Sequence, residues 1–227
     1  MFSNRQQAGV LLAEKTIDSL GADGQINPNQ IVVLALPRGG VPVALEIAFT
    51  LGCPLNVLAS KKIGAPDQKE LAVGAVTSSG VIVIDETLSG YLNISSDYIK
   101  KEKEYLINKT KQLEERWRLS AGLESQLSLD QKIVIVVDDG VATGMTAIAA
   151  ARSLKSQGAS KIIFATPVIS AHAYNRLLQE YNQVIILEIP SDFGSVGQFY
   201  LDFHQVEDLE VVQALAQAMN KSCVKSV

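Results

Sequence analysis

The sequence predicts an α/β fold: an open, twisted, mostly parallel sheet with helices on both faces. Three observations carry this. First, IVVLALPRGGVPVALEIAFTLGCPLNVLAS, from Ile31, reads strand, glycine-rich loop, helix, glycine stop at Gly52, strand. Second, KIVIVVDDGVATGMTAIAAARSLKSQGASKIIFATPV, from Lys132, repeats that order, with Gly158 as its helix stop. Third, each strand is a continuous β-branched run rather than an alternating one, as expected when helices cover both faces. Two such βαβ units imply right-handed crossovers within one parallel sheet. VIVID (81–85) and QVIILEI (183–189) are further strand candidates.

The bulk properties bound the function. The chain has 227 residues, 47% of them apolar, with mean hydropathy +0.17, enough for one large domain with a substantial core. Its apolar runs are strand-sized, well short of the roughly 20 residues that span a bilayer, so no membrane association is expected. The start, MFSNRQQAGVLLAEK, lacks the uninterrupted apolar region of a signal peptide. Cys53 and Cys223 have no metal-ligand spacing, and a reduced, cytoplasmic setting fits them best. A net charge of −4 and a pI near 5.3 argue against binding to a nucleic-acid backbone.

Residues 95–118 read as a long amphipathic helix. Ile99, Leu106 and Leu113 recur every seven residues, flanked by Tyr98, Tyr105 and Trp117, and the charged remainder is read as a solvated face. A coiled-coil partner or a nucleic-acid surface is the alternative, the mixed charge disfavouring the latter. His172 and His204 stand apart from any Cys/His cluster and read as surface or packing residues.

The densest chemistry lies in VVDDGVATGMT, residues 136–146. In open parallel sheets, ligands collect beyond the carboxyl ends of the strands. Asp138 and Asp139 stand at such an end, where one carboxylate can accept from sugar hydroxyls while the other orients a water, a metal or a loop amide. The loop then enters a helix, so its amides form an anion nest at a helix N-terminus. Thr143 and Thr146 add hydroxyl donors. No Lys-Ser/Thr pair follows the glycine, which excludes a Walker A loop, and the dinucleotide GxGxxG is absent as well.

VVDDGVATGMT resembles the phosphoribosyl-pyrophosphate (PRPP) signature of the type I phosphoribosyltransferases: apolar residues, two acids, then a loop ending Thr-Gly-x-Thr. The segment order is similar over most of the chain. The resemblance implies a single domain over 1–227, with a core at about 28–190, a helical insertion at about 92–129, and a small hood from about 1–27 and 190–227. It implies that Asp138 and Asp139 face the ribose hydroxyls, and that Gly140, Val141, Ala142, Thr143, Gly144, Met145 and Thr146 wrap the 5′-phosphate. LPRGG (36–40) is similar to the family's pyrophosphate loop, placing Arg38, Gly39 and Gly40 at the pyrophosphate; a plain turn is the alternative. That loop often holds a non-proline cis peptide, here Pro37–Arg38. KKIGAPDQKELAVGAV (61–76) fits the family's mobile loop, with Lys61, Lys62 and Lys69 toward pyrophosphate, Glu70 as an acid/base candidate, and Gly64 and Gly74 marking a flexible hairpin. A solvated surface hairpin is the alternative.

The implied activity is transfer of the 5-phosphoribosyl group to a nitrogen base, a purine among the candidates, with release of pyrophosphate. Mg²⁺ is the implied cofactor, PRPP and a small base the partners, nucleoside metabolism the setting, and a homo-oligomer (a dimer) the assembly. EIPSDFGSVGQFYLDF (188–203) looks like the hood of purine transferases, longer by two residues after Phe193. Carried over, Phe193 covers the base and Asp202 faces the metal–pyrophosphate end; alternatively these aromatics pack the C-terminal segment, or Phe199 or Tyr200 stacks on the base. Ala142 and FATPV (164–168) lack the aspartate and lysine of 6-oxopurine enzymes, leaving the base and the general base unassigned. The rival readings are a PRPP sensor with little turnover and a nucleoside or sugar-phosphate hydrolase on a similar scaffold.

Overall fold

The computed structural model describes residues 1–21, 27–123 and 127–224, with side chains to residue 221; the end of the C-terminal segment and the Cys223 side chain lie outside the described residues. Five parallel strands form the central sheet: β1 (Ile31–Ala35), β2 (Leu55–Val57), β6 (Ile133–Val137), β7 (Lys161–Val168) and β8 (Gln183–Glu188). Their order is β2-β1-β6-β7-β8, so the sheet grows outward in both directions from β1 and β6.

The continuous apolar strands are explained by alternation across two cores. Ile31, Val33, Ala35, Ile135, Val137, Ile163 and Ala165 face one core, filled by Leu12 of α1 (Arg5–Gly21), Ile47 of α2 (Gly40–Leu51) and Leu215 of α7 (Asp208–Val224). Val32, Leu34, Val134, Val136, Ile162 and Phe164 face the other, filled by Ile148 and Leu154 of α5 (Met145–Ser156) and Leu177 of α6 (Ala171–Leu177). Side chains alternate along a strand, so a run apolar at every position serves a sheet covered twice.

VIVID does not enter this sheet. Ile82–Ile84 forms β5, which pairs antiparallel with β4 (Ala72–Thr77), itself antiparallel to β3 (Ser60–Gly64). This ribbon corrects the expectation of a flexible hairpin at 61–76. Ile63, Val73 and Val76 are buried beneath Leu106 of the 25-residue α4 (Ser96–Ser120). Gly74 serves close strand approach, because a Cβ there would lie 2.5 Å from the Val83 carbonyl oxygen. Only the tip, residues 66–70, is exposed throughout.

The helix at 95–118 forms as predicted, capped by the Ser95 side chain, which accepts from the Tyr98 amide at 3.2 Å. Two residues depart from the expected faces. Tyr105 is exposed, whereas Glu114 is turned inward and ties three elements together. Its Oε2 accepts from the Ala59 amide at 2.7 Å and the Ser78 hydroxyl at 2.6 Å, and burial raises its carboxyl. A seven-residue repeat did not register Glu114 because its partners lie on other strands. α3 (Glu86–Tyr91) precedes this helix.

The N-terminal segment meets the segment before α7 at the carboxyl edge of the sheet. The Phe2 amide donates to the Phe199 carbonyl at 2.8 Å, the Leu201 amide donates to the Phe2 carbonyl at 2.8 Å, and the Phe2 and Tyr200 rings lie 5.4 Å apart. No described helix is long and apolar enough to cross a membrane.

Phe164 is fully buried between α5 and Tyr181, whose ring lies 5.2 Å away. Phe164→Ala is expected to cost about 3–5 kcal/mol, seen as a lower denaturant midpoint with native circular dichroism retained in water.

Candidate functional site

β1 and β6 are hydrogen-bonded neighbours, so the loops that follow them open side by side. Between them lies a cleft of about 720 Å³. One wall is the loop Gly140–Gly144 with Thr146; a second is Pro37, Arg38 and Gly39 with Ser60, Lys61 and Lys62; a third is Arg5, Val196 and Phe203–Val206. Asp138 and Asp139 stand where the walls meet.

The loop after β6 is held from behind. The Val141 amide donates to the Val168 carbonyl at 3.0 Å, the Ser170 amide to the Val141 carbonyl at 2.9 Å, and the Ser170 hydroxyl to the Ala142 carbonyl at 2.6 Å. Carbonyls therefore point toward β7 and away from the cleft. Gly144 caps α5 in a left-handed conformation, with no side-chain cap. The first amides of α5 thus keep the unsatisfied donors and positive dipole end that suit an anion. Met145 departs from its neighbours, since its side chain is buried beneath α5 and its sulfur contacts Arg176.

The loop after β1 turns through a cis Pro37–Arg38 peptide. A side chain on Gly39 would overlap the Asp139 carboxylate, and one on Gly40 would lie 2.6 Å from the Val137 carbonyl oxygen. Both glycines are therefore required by the close approach of the two loops. Arg38 lies 3.5 Å from Glu207 and 3.6 Å from Asp208, at the start of α7.

The acidic pair is an asymmetric constellation. Asp139 is buried, and Arg5 Nε donates to its Oδ2 at 2.7 Å. Tyr200 donates its hydroxyl to the Asp139 carbonyl at 2.6 Å. Asp138 opens to the cleft, and its Oδ1 accepts from the Asp139 amide at 2.9 Å. Burial pushes the Asp138 carboxyl well above the ordinary carboxylate range, the Asp139 charge raises it further, and Lys62 draws it back. Burial raises Asp139 as well, against the pull of Arg5.

Several candidates from the sequence lie elsewhere. Phe193 does not line the cleft; its ring packs 5.4 Å from Phe199 beneath the joined chain ends. Phe203 takes the place at the third wall, ten residues further along, because the segment from 194 makes a short 3₁₀ turn at Val196–Phe199. Asp202 points out of the cleft, with Oδ1 accepting from the His204 amide at 3.1 Å. Glu70 and Lys69 sit on the exposed hairpin tip, where Lys69 donates to the Tyr98 hydroxyl at 2.8 Å and lies 3.7 Å from Glu102. These contacts tie the tip to α4, and neither residue lines the cleft.

Arg5, Val196, Phe203, His204, Gln205 and Val206 were not singled out for the site from the sequence. They come from the two chain ends, with no local motif. His204 stands on the rim rather than in a core: Nε2 lies 3.2 Å from Glu210 and Nδ1 3.2 Å from Asp202, and these carboxylates raise its pKa. His172 is a surface residue, as expected.

Among the described residues no group of three or more His, Cys, Asp or Glu could hold a metal ion. The donor set of the cleft, two carboxylates beside four cations, suits a Mg²⁺ carried largely by ligand oxygens and water, and it offers no protein cage.

Comparison with known proteins gives a consistent set of relatives. A phosphoribosyl transferase domain model matches residues 6–204. A Mycobacterium tuberculosis protein provisionally named a phosphoribosyl transferase, present in two strains, is 37% identical over 219 residues, or 96% of this chain. That alignment takes up 47% of the mycobacterial protein, so the chain spans about half the length of the curated relatives it matches. The crystal structure of TT1426 from Thermus thermophilus superposes with a TM-score of 0.77 at 36% identity, covering 96% of this chain and 98% of that one.

The raised Asp138 carboxyl fixes the sign of one prediction. The folded state holds a proton that the unfolded state, at its ordinary value of 3.8, has lost, so ionising Asp138 destabilises the fold as pH rises above that value. Asp138→Asn is therefore expected to melt higher than the parent at pH 7, with the difference vanishing toward pH 3.8. A pH series of thermal melts checks this.

Proposed function

Because the chain belongs to the phosphoribosyl transferase domain family, we propose that it transfers the 5-phosphoribosyl group of PRPP to a nitrogen base and releases pyrophosphate. The observation that carries this reading is one cleft joining an uncapped helix N-terminus, a partly buried acid pair and the cationic wall of Arg38, Lys61 and Lys62. A phosphate monoester, a ribose diol and a pyrophosphate call for those three environments side by side.

The 5-phosphate would sit against the amides and hydroxyls of Gly140–Thr146, with Thr143 and Thr146 donating. Asp138 and Asp139 would accept from the 2′- and 3′-hydroxyls, and Arg38, Lys61 and Lys62 would face the pyrophosphate. The C1–oxygen bond breaks with its electron pair leaving on pyrophosphate, a C1–nitrogen bond forms on the opposite face, and the proton of the base nitrogen passes to solvent. Charge builds on the departing oxygens and at C1, so fixed cations and carboxylates already in place lower the barrier without reorganising. When bound, Mg²⁺ would supply further neutralisation of the pyrophosphate. Glu70 has no place in this scheme, because it stands on the hairpin tip away from the cleft. The expectation of a homodimer rests on the resemblance, and sedimentation would read it.

Pyrophosphate release from PRPP across a panel of purine and pyrimidine bases tests the activity. Release with one class of base supports it, whereas PRPP binding without release under every base favours the sensor reading.

Asp139→Asn is expected to weaken PRPP binding about ten- to a hundredfold, the loss of a charge-assisted hydrogen bond, while the folded spectrum is kept. Calorimetric titration gives the affinity; an unchanged value removes Asp139 from the ribose site. Since both carboxyls are raised, PRPP affinity of the parent should also increase as pH rises through their titration.

A further inference from the structure

The third wall is where the acceptor must bind, once the phosphate loop and the cationic wall are assigned as above. Its polar side chains are few. Gln205 carries a carboxamide, which serves a donor or an acceptor by flipping. Both ring nitrogens of His204 are engaged by Asp202 and Glu210. Arg5 is the one whose polarity is fixed: a guanidinium has five N–H donors, no acceptor, and keeps its charge at every relevant pH.

Arg5 is also held rigidly. It is 7% exposed, its Nε donates to Asp139 Oδ2 at 2.7 Å, its Nη1 donates to the His204 carbonyl at 2.7 Å, and its guanidinium carbon lies 3.9 Å from the Phe203 ring centroid. These contacts use Nε and one hydrogen of Nη1, and Nη2 has no partner among the described residues. Arg5 is nine-tenths buried and lines the cleft, so its leftover donors open on the cleft and offer themselves, in place of water, to an acceptor atom of whatever occupies it.

We propose that the acceptor is a heterocycle presenting an exocyclic oxygen, as a carbonyl or its ionised form, to Arg5, and that Arg5 thereby rejects the matching ring with an exocyclic amine. This rests on the phosphoribosyl transfer reading and names the substrate class of that site. An amine at this position would set N–H against N–H and leave both unpaired. The fixed carboxylate nearby, Asp139, is occupied by Arg5 and, on that reading, by ribose hydroxyls, so it does not rescue the amine. The recognition is separate from the aspartate and lysine absent at Ala142 and FATPV, because it comes from the N-terminal helix.

The test uses the whole chain loaded with ribose 5-phosphate, which fills the phosphate and diol positions and cannot transfer. Uracil against cytosine, and hypoxanthine against adenine, are titrated calorimetrically into this complex. The oxo member of the pair that fits is expected to bind about ten- to a hundredfold more tightly than its amino counterpart. Arg5→Gln should erase that ratio, and Arg5→Lys, which keeps a donor-only cation, should retain a preference of the same sign. If Arg5 only supported Asp139, the variants would weaken both members alike and leave the ratio unchanged, which overturns the proposal. So does a parent that binds the amino member equally well, or that binds neither oxo compound while holding ribose 5-phosphate. Should Arg5→Gln fail to fold, the parent ratio and Arg5→Lys still decide. Failure of ribose 5-phosphate itself to bind is a distinct result, which removes the phosphoribosyl reading and this inference with it.

Discussion

The buried Arg5–Asp139 pair is the contact on which the rest of the site depends. Asp139 follows the central strand β6, Arg5 opens the first helix, and the Arg5 guanidinium also holds the carbonyl of His204 shortly before α7. Tyr200 closes the same knot through the Asp139 carbonyl. One carboxylate thus fixes both chain ends over the sheet. Taking two charges out of water is costly, and removing one partner of such a pair typically costs about 3–5 kcal/mol. The geometry therefore tolerates little drift, which is what a preorganised cleft requires.

The exposed ion pairs at the other wall behave differently. Arg38 reaches Glu207 and Asp208 at distances of 3.5 and 3.6 Å, in solvent. Pairs of this kind contribute about 0–1 kcal/mol and are screened by salt. An anionic ligand can exchange for them at small cost, whereas nothing competes so cheaply for Arg5. One wall of the cleft is rigid and buried, the other solvated and exchangeable. The two suit different ligand parts: a shaped, hydrogen-bonded ring and a highly charged leaving group.

The acid pair also shows stability set against a ligand site. Burial raises both carboxyls, and Gly39 leaves no room for the pair to spread. A chain selected for stability alone would not keep two acids at this strand end. On the proposed function, a ligand rich in hydroxyls, approached by nearby cations, would account for their presence.

The sequence by itself determined the parallel sheet, both βαβ units and the glycine- and threonine-rich loop after β6, because these are local patterns. A strand covered on both faces must be apolar at every position, and a loop that presents amides to an anion must be small and hydroxyl-rich. It also carried Lys61 and Lys62 to the cleft, since they open the ribbon strand β3 a few residues after β2 leaves the sheet. Only the tertiary structure decided the third wall of the cleft. Arg5 lies 134 residues from Asp139, and Phe203 rather than Phe193 reaches the cleft because a 3₁₀ turn reorients the chain between them. The burial of Glu114 and the turning away of Lys69 and Glu70 were likewise settled by how α4 packs on the ribbon. Long-range partners of a charged side chain leave no period or spacing in the sequence. Their positions are fixed by the desolvation cost that makes an unpaired buried charge unacceptable, and that cost exists only once the chain has folded.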